Sequence, residues 1–199
     1  MEFLNLFPSV ILQDTLLNTT PEDIWNYKKV LNSEEYEDLG TNGAATHNQY
    51  LLDNPIFTKL TNNIINLSKI YLDNLGHQYS GLKISNSWGN IVNSNGSIHN
   101  HRHANSYISG VYYLEDSSKI SFVNQLLEKF TFHAHKTTDN IDPVHHSLYH
   151  ITPSPNSIII FPSYLYHGVF QSNQTNRLSI AFNIVPTGDF GVNTGKINI

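Results

Sequence analysis

The sequence predicts an α+β protein in which helices pack on one face of an antiparallel double sheet, or jelly roll, that fills the second half of the chain. Three observations carry this. Two helix-period segments lie before residue 80, and short strand-like runs with turn signals follow it. The 199 residues, 39% of them hydrophobic, are enough for one sizeable core. No internal repeat is present. The expected organisation is a single domain over 1–199: a strand and supporting helices over 1–80, the jelly-roll core with its functional site over 81–185, and a tail over 186–199.

Phe3 to Leu12 is apolar but broken by Pro8, as suits an opening edge strand. Thr20 and Pro21, with Glu22 and Asp23 in the first turn, start a polar helix that continues from Ile24 to Glu37. Gly40 to Thr46 reads as a loop. Asn54-Pro55 opens the stronger helix, with Phe57, Leu60, Ile64, Leu67 and Tyr71 at three- and four-residue spacing and Gly76 as its stop. That stripe suits packing on a sheet. From Leu82 to Val92 apolar and polar residues nearly alternate, and Asn93-Ser94-Asn95-Gly96 is a turn signal. Further strand patterns begin at Ser97 and cover Ser106 to Leu114, Ile120 to Val123, Ser157 to Pro162 and Leu178 to Val185. Leu126 to Ile141 carries no clear period, and Ile151 to Pro155 reads as a loop. The tail from Pro186, rich in Gly and Asn, is expected on the surface or frayed.

Composition removes several classes of function. The net charge is −5 with 11 Lys plus Arg and no basic cluster, which argues against a general nucleic-acid footprint. There is no cysteine, so disulfide scaffolds, thiolate metal sites and thiol nucleophiles are excluded. Glu2, Pro8 and Asp14 interrupt the apolar residues of an N-terminus without a basic stretch, so neither a signal peptide nor a membrane span is expected, and the cytoplasm is the expected compartment. The chain has no Gly-rich phosphate loop, no G-x-S-x-G elbow and no H-E-x-x-H helix.

The chemistry concentrates in S-I-H-N-H-R-H-A-N-S-Y-I-S-G-V-Y-Y-L-E, residues 97 to 115. On an extended strand His99, His101 and His103 share one face, with Asn100 and Arg102 opposite. Two imidazoles at i and i+2 can hold one first-row metal ion, which then needs a third ligand and open positions. His167, at the end of the apolar run I-I-I-F-P-S-Y-L-Y-H-G-V, is the candidate. Trp88 and Asn90 alternate on the preceding strand and are candidate pocket residues, with His99 as an alternative ligand. His133 and His135 repeat the i, i+2 spacing but lack a following buried strand; with His145, His146 and His150 they suit a polar flap over the pocket mouth.

H-x-H before an apolar strand, a distal histidine after another, and Arg177-x-Ser179 ten positions beyond it resemble the Fe(II)- and 2-oxoglutarate-dependent oxygenases. S-I-H-N-H-R-H-A-N-S-Y-I-S-G-V-Y-Y-L and F-P-S-Y-L-Y-H-G-V are similar to an oxygenase family of marine bacteria and their phages. The resemblance is dense from about Trp88 to Asn183, apart from a segment near 123 to 150. It implies a double-stranded β-helix, cupin-like, with a metal inside one mouth. It further implies Fe(II) held by His101, His103 and His167, and 2-oxoglutarate anchored by Arg177, Ser179 and Tyr113, with Tyr112 facing outward. The implied reaction is a dioxygenase hydroxylation of an unknown substrate, releasing succinate and CO2. His103 stands where the usual H-x-D motif has a carboxylate. Two other readings remain open at this point: a three-histidine jelly-roll dioxygenase that does not use 2-oxoglutarate, and a non-catalytic metal-binding cupin-like module. The sequence does not fix the oligomeric state.

Overall fold

Alternation along two long strands decides the architecture. In the computed structural model, which describes residues 9–115, 118–125, 147–172 and 177–199, twelve strands and two α-helices are present among those residues, with short 3-10 turns between them. The strands are β1 (Leu12–Thr15), β2 (Tyr36–Asp38), β3 (Gly43–Thr46), β4 (Tyr79–Val92), β5 (Ile98–His101), β6 (Ile108–Tyr113), β7 (Ile120–Val123), β8 (Leu148–Ile151), β9 (Ser157–Pro162), β10 (His167–Val169), β11 (Arg177–Phe190) and β12 (Ile197–Asn198). The helices are α1 (Pro21–Ser33) and α2 (Thr58–Asn74). A major sheet runs β1-β9-β6-β11-β4-β3-β2, with β12 on the far end of β11, and a minor sheet runs β5-β10-β7-β8. All of these strand pairs are antiparallel.

On β11, Leu178, Ile180, Phe182 and Ile184 pack with α1 and α2 in one core, while Ala181 packs in a second core with Val111, Ile159, Phe161 and the minor-sheet residues Ile120 and Phe122. One face of the major sheet therefore carries the helices and the other faces the minor sheet, the jelly-roll arrangement. A register shift in β4 opposite Asn183 and Ile184 leaves Ser85 as an extra residue. This bulge keeps Ile84 on the helix side and Asn86, Trp88 and Asn90 on the inner side.

Helix α1 begins with a capping box. Thr20 Oγ1 accepts the Asp23 N–H at 3.2 Å, and Asp23 Oδ2 accepts the Thr20 N–H at 2.7 Å. It buries Tyr27 and Leu31 and stops at Ser33, earlier than expected, because the next core-facing positions are Glu34 and Glu35. Leu31 lies over Gly89, where a Cβ would come within 2.5 Å of its Cδ2. In α2 the buried stripe is Leu60, Ile64, Ser68, Tyr71 and Leu72, and Gly76 follows at φ 71°. No helix among the described residues is long and apolar enough to cross a membrane.

Four expectations are corrected. The first strand among the described residues is Leu12–Thr15, which takes only the last residue of the expected Phe3 to Leu12: Ser9 to Ile11 are outside any strand, and residues 3–8 lie outside the described residues; among those described it is an edge, paired only with β9. Gly40 to Thr46 is not all loop, since Gly43–Thr46 forms β3 between β2 and β4; its small side chains carry no period to read. The tail does not leave at Pro186. Pairing of β11 with β6 ends at Ile184, so beyond it proline is tolerated, and β12 folds back with Lys196 Nζ 2.7 Å from Asp189 Oδ2. His150 lies on β8, its Nδ1 2.7 Å from Ser121 Oγ, so it is part of the minor sheet and not a flap. His133, His135, His145 and His146 lie outside the described residues, as does Leu126 to Ile141.

Candidate metal centre

Cross-strand pairing brings the histidines together. His167 on β10 is directly opposite His101 on β5, and their rings lie 4.5 Å apart, centroid to centroid. β5 ends at His101, so His103 reaches the site from the loop that follows and not by strand alternation. Its N–H donates to the Ser163 carbonyl at 3.0 Å, which fixes that loop against the end of β9. The ligand atoms of His101, His103 and His167 all lie within 4.8 Å of one another, and no carboxylate joins them among the described residues. The His99 ring is exposed and outside this group; what His99 contributes is its carbonyl.

The donor set fits a metal ion. The Nδ1–H groups of His101 and His167 donate to the carbonyls of His99 (2.8 Å) and Leu165 (2.9 Å), since a carbonyl can only accept. Those bonds set the tautomer, leaving both Nε2 lone pairs directed at the cluster, the usual outer-shell arrangement of a ligating imidazole. His103 Nε2 stands 3.3 Å from His167 Nε2. Two nitrogens each about 2.0–2.1 Å from one ion are separated by about 2.9–3.4 Å. Burial, with a smaller contribution from His101, pushes the His103 pKa down to about 4 and that of His167 down to about 3. Both are therefore neutral at physiological pH, the form that binds metal. Trp88 packs 5.5 Å from the His103 ring, and Phe161 4.5 Å from that of His167.

The inner face of the major sheet is layered. Asn90, Ser179, Tyr113 and Ser157 are in register across β4, β11, β6 and β9. The next inward row is apolar, Trp88, Ala181, Val111 and Ile159, and the one after it is Asn86, Asn183, Ser109 and Phe161. Arg177 precedes the first row, 3% exposed, with its guanidinium 5.2 Å from the Tyr113 ring centroid and Nη2 donating to the Ser118 carbonyl at 3.5 Å. The Tyr113 and Ser157 hydroxyls are buried and make no hydrogen bond of regular geometry. Burial raises the Tyr113 pKa to about 12, with the Arg177 charge pulling the other way, so the group is a neutral donor. A buried cation beside unpaired hydroxyl donors suits a carboxylate. Inward rows are about 6.7 Å apart, which puts this anion subsite about one row from the Trp88 layer under the histidines.

Tyr112 points away from this pocket but not to solvent. It lies under α1, its ring edge-on to Tyr27 at 6.3 Å, with its hydroxyl donating to Asn156 Oδ1 at 2.8 Å. Ser157 is the residue that sequence reasoning missed. Its only signal was its position at the start of a buried strand, in phase with Ile159 and Phe161.

Comparison with known proteins places the geometry in a family. Residues 86–183 match the family described as "Putative 2OG-Fe(II) oxygenase". No curated protein matches. Among solved structures, an oxidoreductase of the 2OG-Fe(II) oxygenase family from Burkholderia pseudomallei superposes with a TM-score of 0.59 at 12% identity, covering 87% of this chain and 83% of that one. HygX from Streptomyces hygroscopicus, with nickel and 2-oxoglutarate bound, gives 0.58 at 15% identity over 90% and 84%. A prolyl-4-hydroxylase from Pseudomonas putida gives 0.56 at 11% identity over 90% and 94%. These structures share the fold, and the matched segment contains all three clustered histidines, Arg177, Ser179 and Tyr113. Over residues 86–183, which carry the whole of this site, the chain is of the Fe(II)- and 2-oxoglutarate-dependent oxygenase family.

Proposed function

We propose that this oxygenase hydroxylates a small molecule, and not a nucleic acid, in the cytoplasm, acting as a single domain. His101, His103 and His167 hold the Fe(II), and Arg177, Ser179, Tyr113 and Ser157 receive the far carboxylate of 2-oxoglutarate. The observation that carries this is the pairing of a three-imidazole cluster, His167 buried and His101 and His103 half-buried, with a buried arginine. Bound iron with its 2-oxo acid supplies the activation of dioxygen, with succinate and CO2 released and a C–H bond of the substrate oxidised.

The residues supply everything else. The carbonyls of His99 and Leu165 orient two of the imidazoles. Arg177 neutralises the buried carboxylate, and the hydroxyls of Tyr113, Ser157 and Ser179 complete its hydrogen bonding. Three neutral ligands leave the metal one charge more positive than two histidines and a carboxylate, so a dianionic co-substrate offsets charge at both of its ends. The apolar layer of Trp88, Ala181, Val111 and Ile159 keeps bulk water from the space between the two subsites.

The test is an anaerobic titration of the metal-free protein with Fe(II) and then 2-oxoglutarate, followed by the weak visible charge-transfer band of the chelated 2-oxo acid. A saturable band is expected, and Arg177→Ala should abolish it at the same concentrations. Iron binding without any band would remove 2-oxoglutarate from the assignment.

A further inference from the structure

Beside the histidine cluster, on the helix side of the loop that carries His103, lies a cavity of about 530 Å³. That is within the range of small-molecule pockets. One wall is apolar, from Leu72 and Leu75 of α2. Another is aromatic, from Tyr107 and Tyr164, with the Tyr107 hydroxyl hydrogen-bonded to His77 Nδ1. His103 lines this cavity and also belongs to the histidine cluster, so the cavity adjoins the centre. Arg102 completes the rim.

Charge selects the ligand. Among the described residues Arg102 is the one Asp, Glu, Lys or Arg side chain in the lining, in a chain whose net charge is −5. No carboxylate among the described residues pairs with it; its guanidinium lies 5.4 Å from the Tyr166 ring centroid. A guanidinium held against a ring face keeps its N–H edge for an acceptor. Resting on the oxygenase reading above, we infer that this cavity is the substrate site, and that its substrate is a small molecule with a flat apolar body and an anionic group bound by Arg102.

The test uses the full chain loaded with Zn(II) and saturating 2-oxoglutarate, so that the Arg177 subsite is filled and no turnover occurs. Binding of 4-fluorophenylacetate and of its uncharged amide, 4-fluorophenylacetamide, is followed by fluorine NMR. The acid should bind about tenfold more tightly than the amide, and Arg102→Ala should erase that preference while changing the amide by less than about twofold. Arg102→Lys should keep part of it. Ala104→Trp, a substitution at an exposed lining residue, should block both probes. Replacing Zn(II) by paramagnetic Mn(II) should broaden the bound acid's signal, which reads its closeness to the centre. Equal affinity for acid and amide, equal weakening of both in Arg102→Ala, binding of neither probe, or an unbroadened signal would each overturn the inference. The oxygenase reading fails separately, through absence of the charge-transfer band with Fe(II).

Discussion

Acid should destabilise the metal-free protein in a window set by two of the proposed metal ligands. His103 and His167 are held neutral in the folded state with pKa values of about 4 and about 3, against an ordinary value of 6.5 that unfolding restores. Below pH 6.5 the unfolded chain therefore binds more protons than the folded one, and stability falls as pH falls until the folded values are reached. Between pH 7 and pH 5 a single buried histidine of this kind forfeits about 2 kcal/mol. His167 contributes nearly all of that, whereas half-buried His103 is screened by solvent and adds about 1 kcal/mol, giving about 3 kcal/mol for the pair. Asp23, whose pKa the Lys59 ammonium holds down at about 2, acts at lower pH and leaves this window clear. Urea unfolding of metal-stripped protein at pH 7, 6 and 5 measures the loss, and His167→Leu should remove more than half of the slope. A flat stability profile, or the same slope in the variant, would refute a cluster of buried neutral imidazoles.

Tyr113→Phe should separate stability from function. Removing a buried hydroxyl that makes no hydrogen bond of regular geometry should change the stability of the protein without 2-oxoglutarate by less than about 1 kcal/mol, while 2-oxoglutarate binds about fivefold to tenfold more weakly in the charge-transfer titration. Calorimetric titration with Co(II) should show at least about 100-fold weaker binding in His101→Ala and His167→Ala, but less than about twofold change in His99→Ala. Gly110→Ala should cost about 1–3 kcal/mol in urea unfolding, because its Cβ would stand 2.3 Å from Phe182 Cζ and 2.7 Å from the Ile159 carbonyl. In α1, Thr20→Ala should cost about 1 kcal/mol by opening the capping box.

What was legible in the chain was whatever has a local period. Ser157 to Pro162 reads with its observed limits because a short, fully buried strand is a continuous apolar run between turn residues. The amphipathic stripe of α2 was equally plain. β3 was not, because Gly-Ala-Ala-Thr owes its place to backbone pairing with β2 and β4. Nor was the bulge at Ser85, which depends on β11 lying opposite. His103 shows the difference most clearly. The residue reaches the cluster as expected from its motif, but through a loop pinned by the Ser163 carbonyl, so the spacing was informative and the strand geometry assumed for it was wrong.

The strongest site signal was an inversion of the usual pattern. Alternation like that of R-L-S-I-A-F-N-I on β11 ordinarily accompanies a half-buried strand, apolar in and polar out. Here the apolar residues meet the helices, and the polar ones are buried too: Arg177, Ser179 and Asn183 are 3%, 1% and 5% exposed. Burying such groups is costly unless they find partners. Asn183 finds them within the protein, donating to Asn86 Oδ1 and accepting from Ser109. In the next polar row the Tyr113 and Ser157 hydroxyls have no hydrogen bond of regular geometry, and Tyr113 lies beside the buried Arg177 guanidinium. Polar residues in the two rows thus differ: the Asn183 row holds the barrel together, and the Tyr113 row is the one we propose for the anion. Only cross-strand register separates the two, which is why the sequence offered Arg177 and Ser179 through their motif but gave no hint of Ser157.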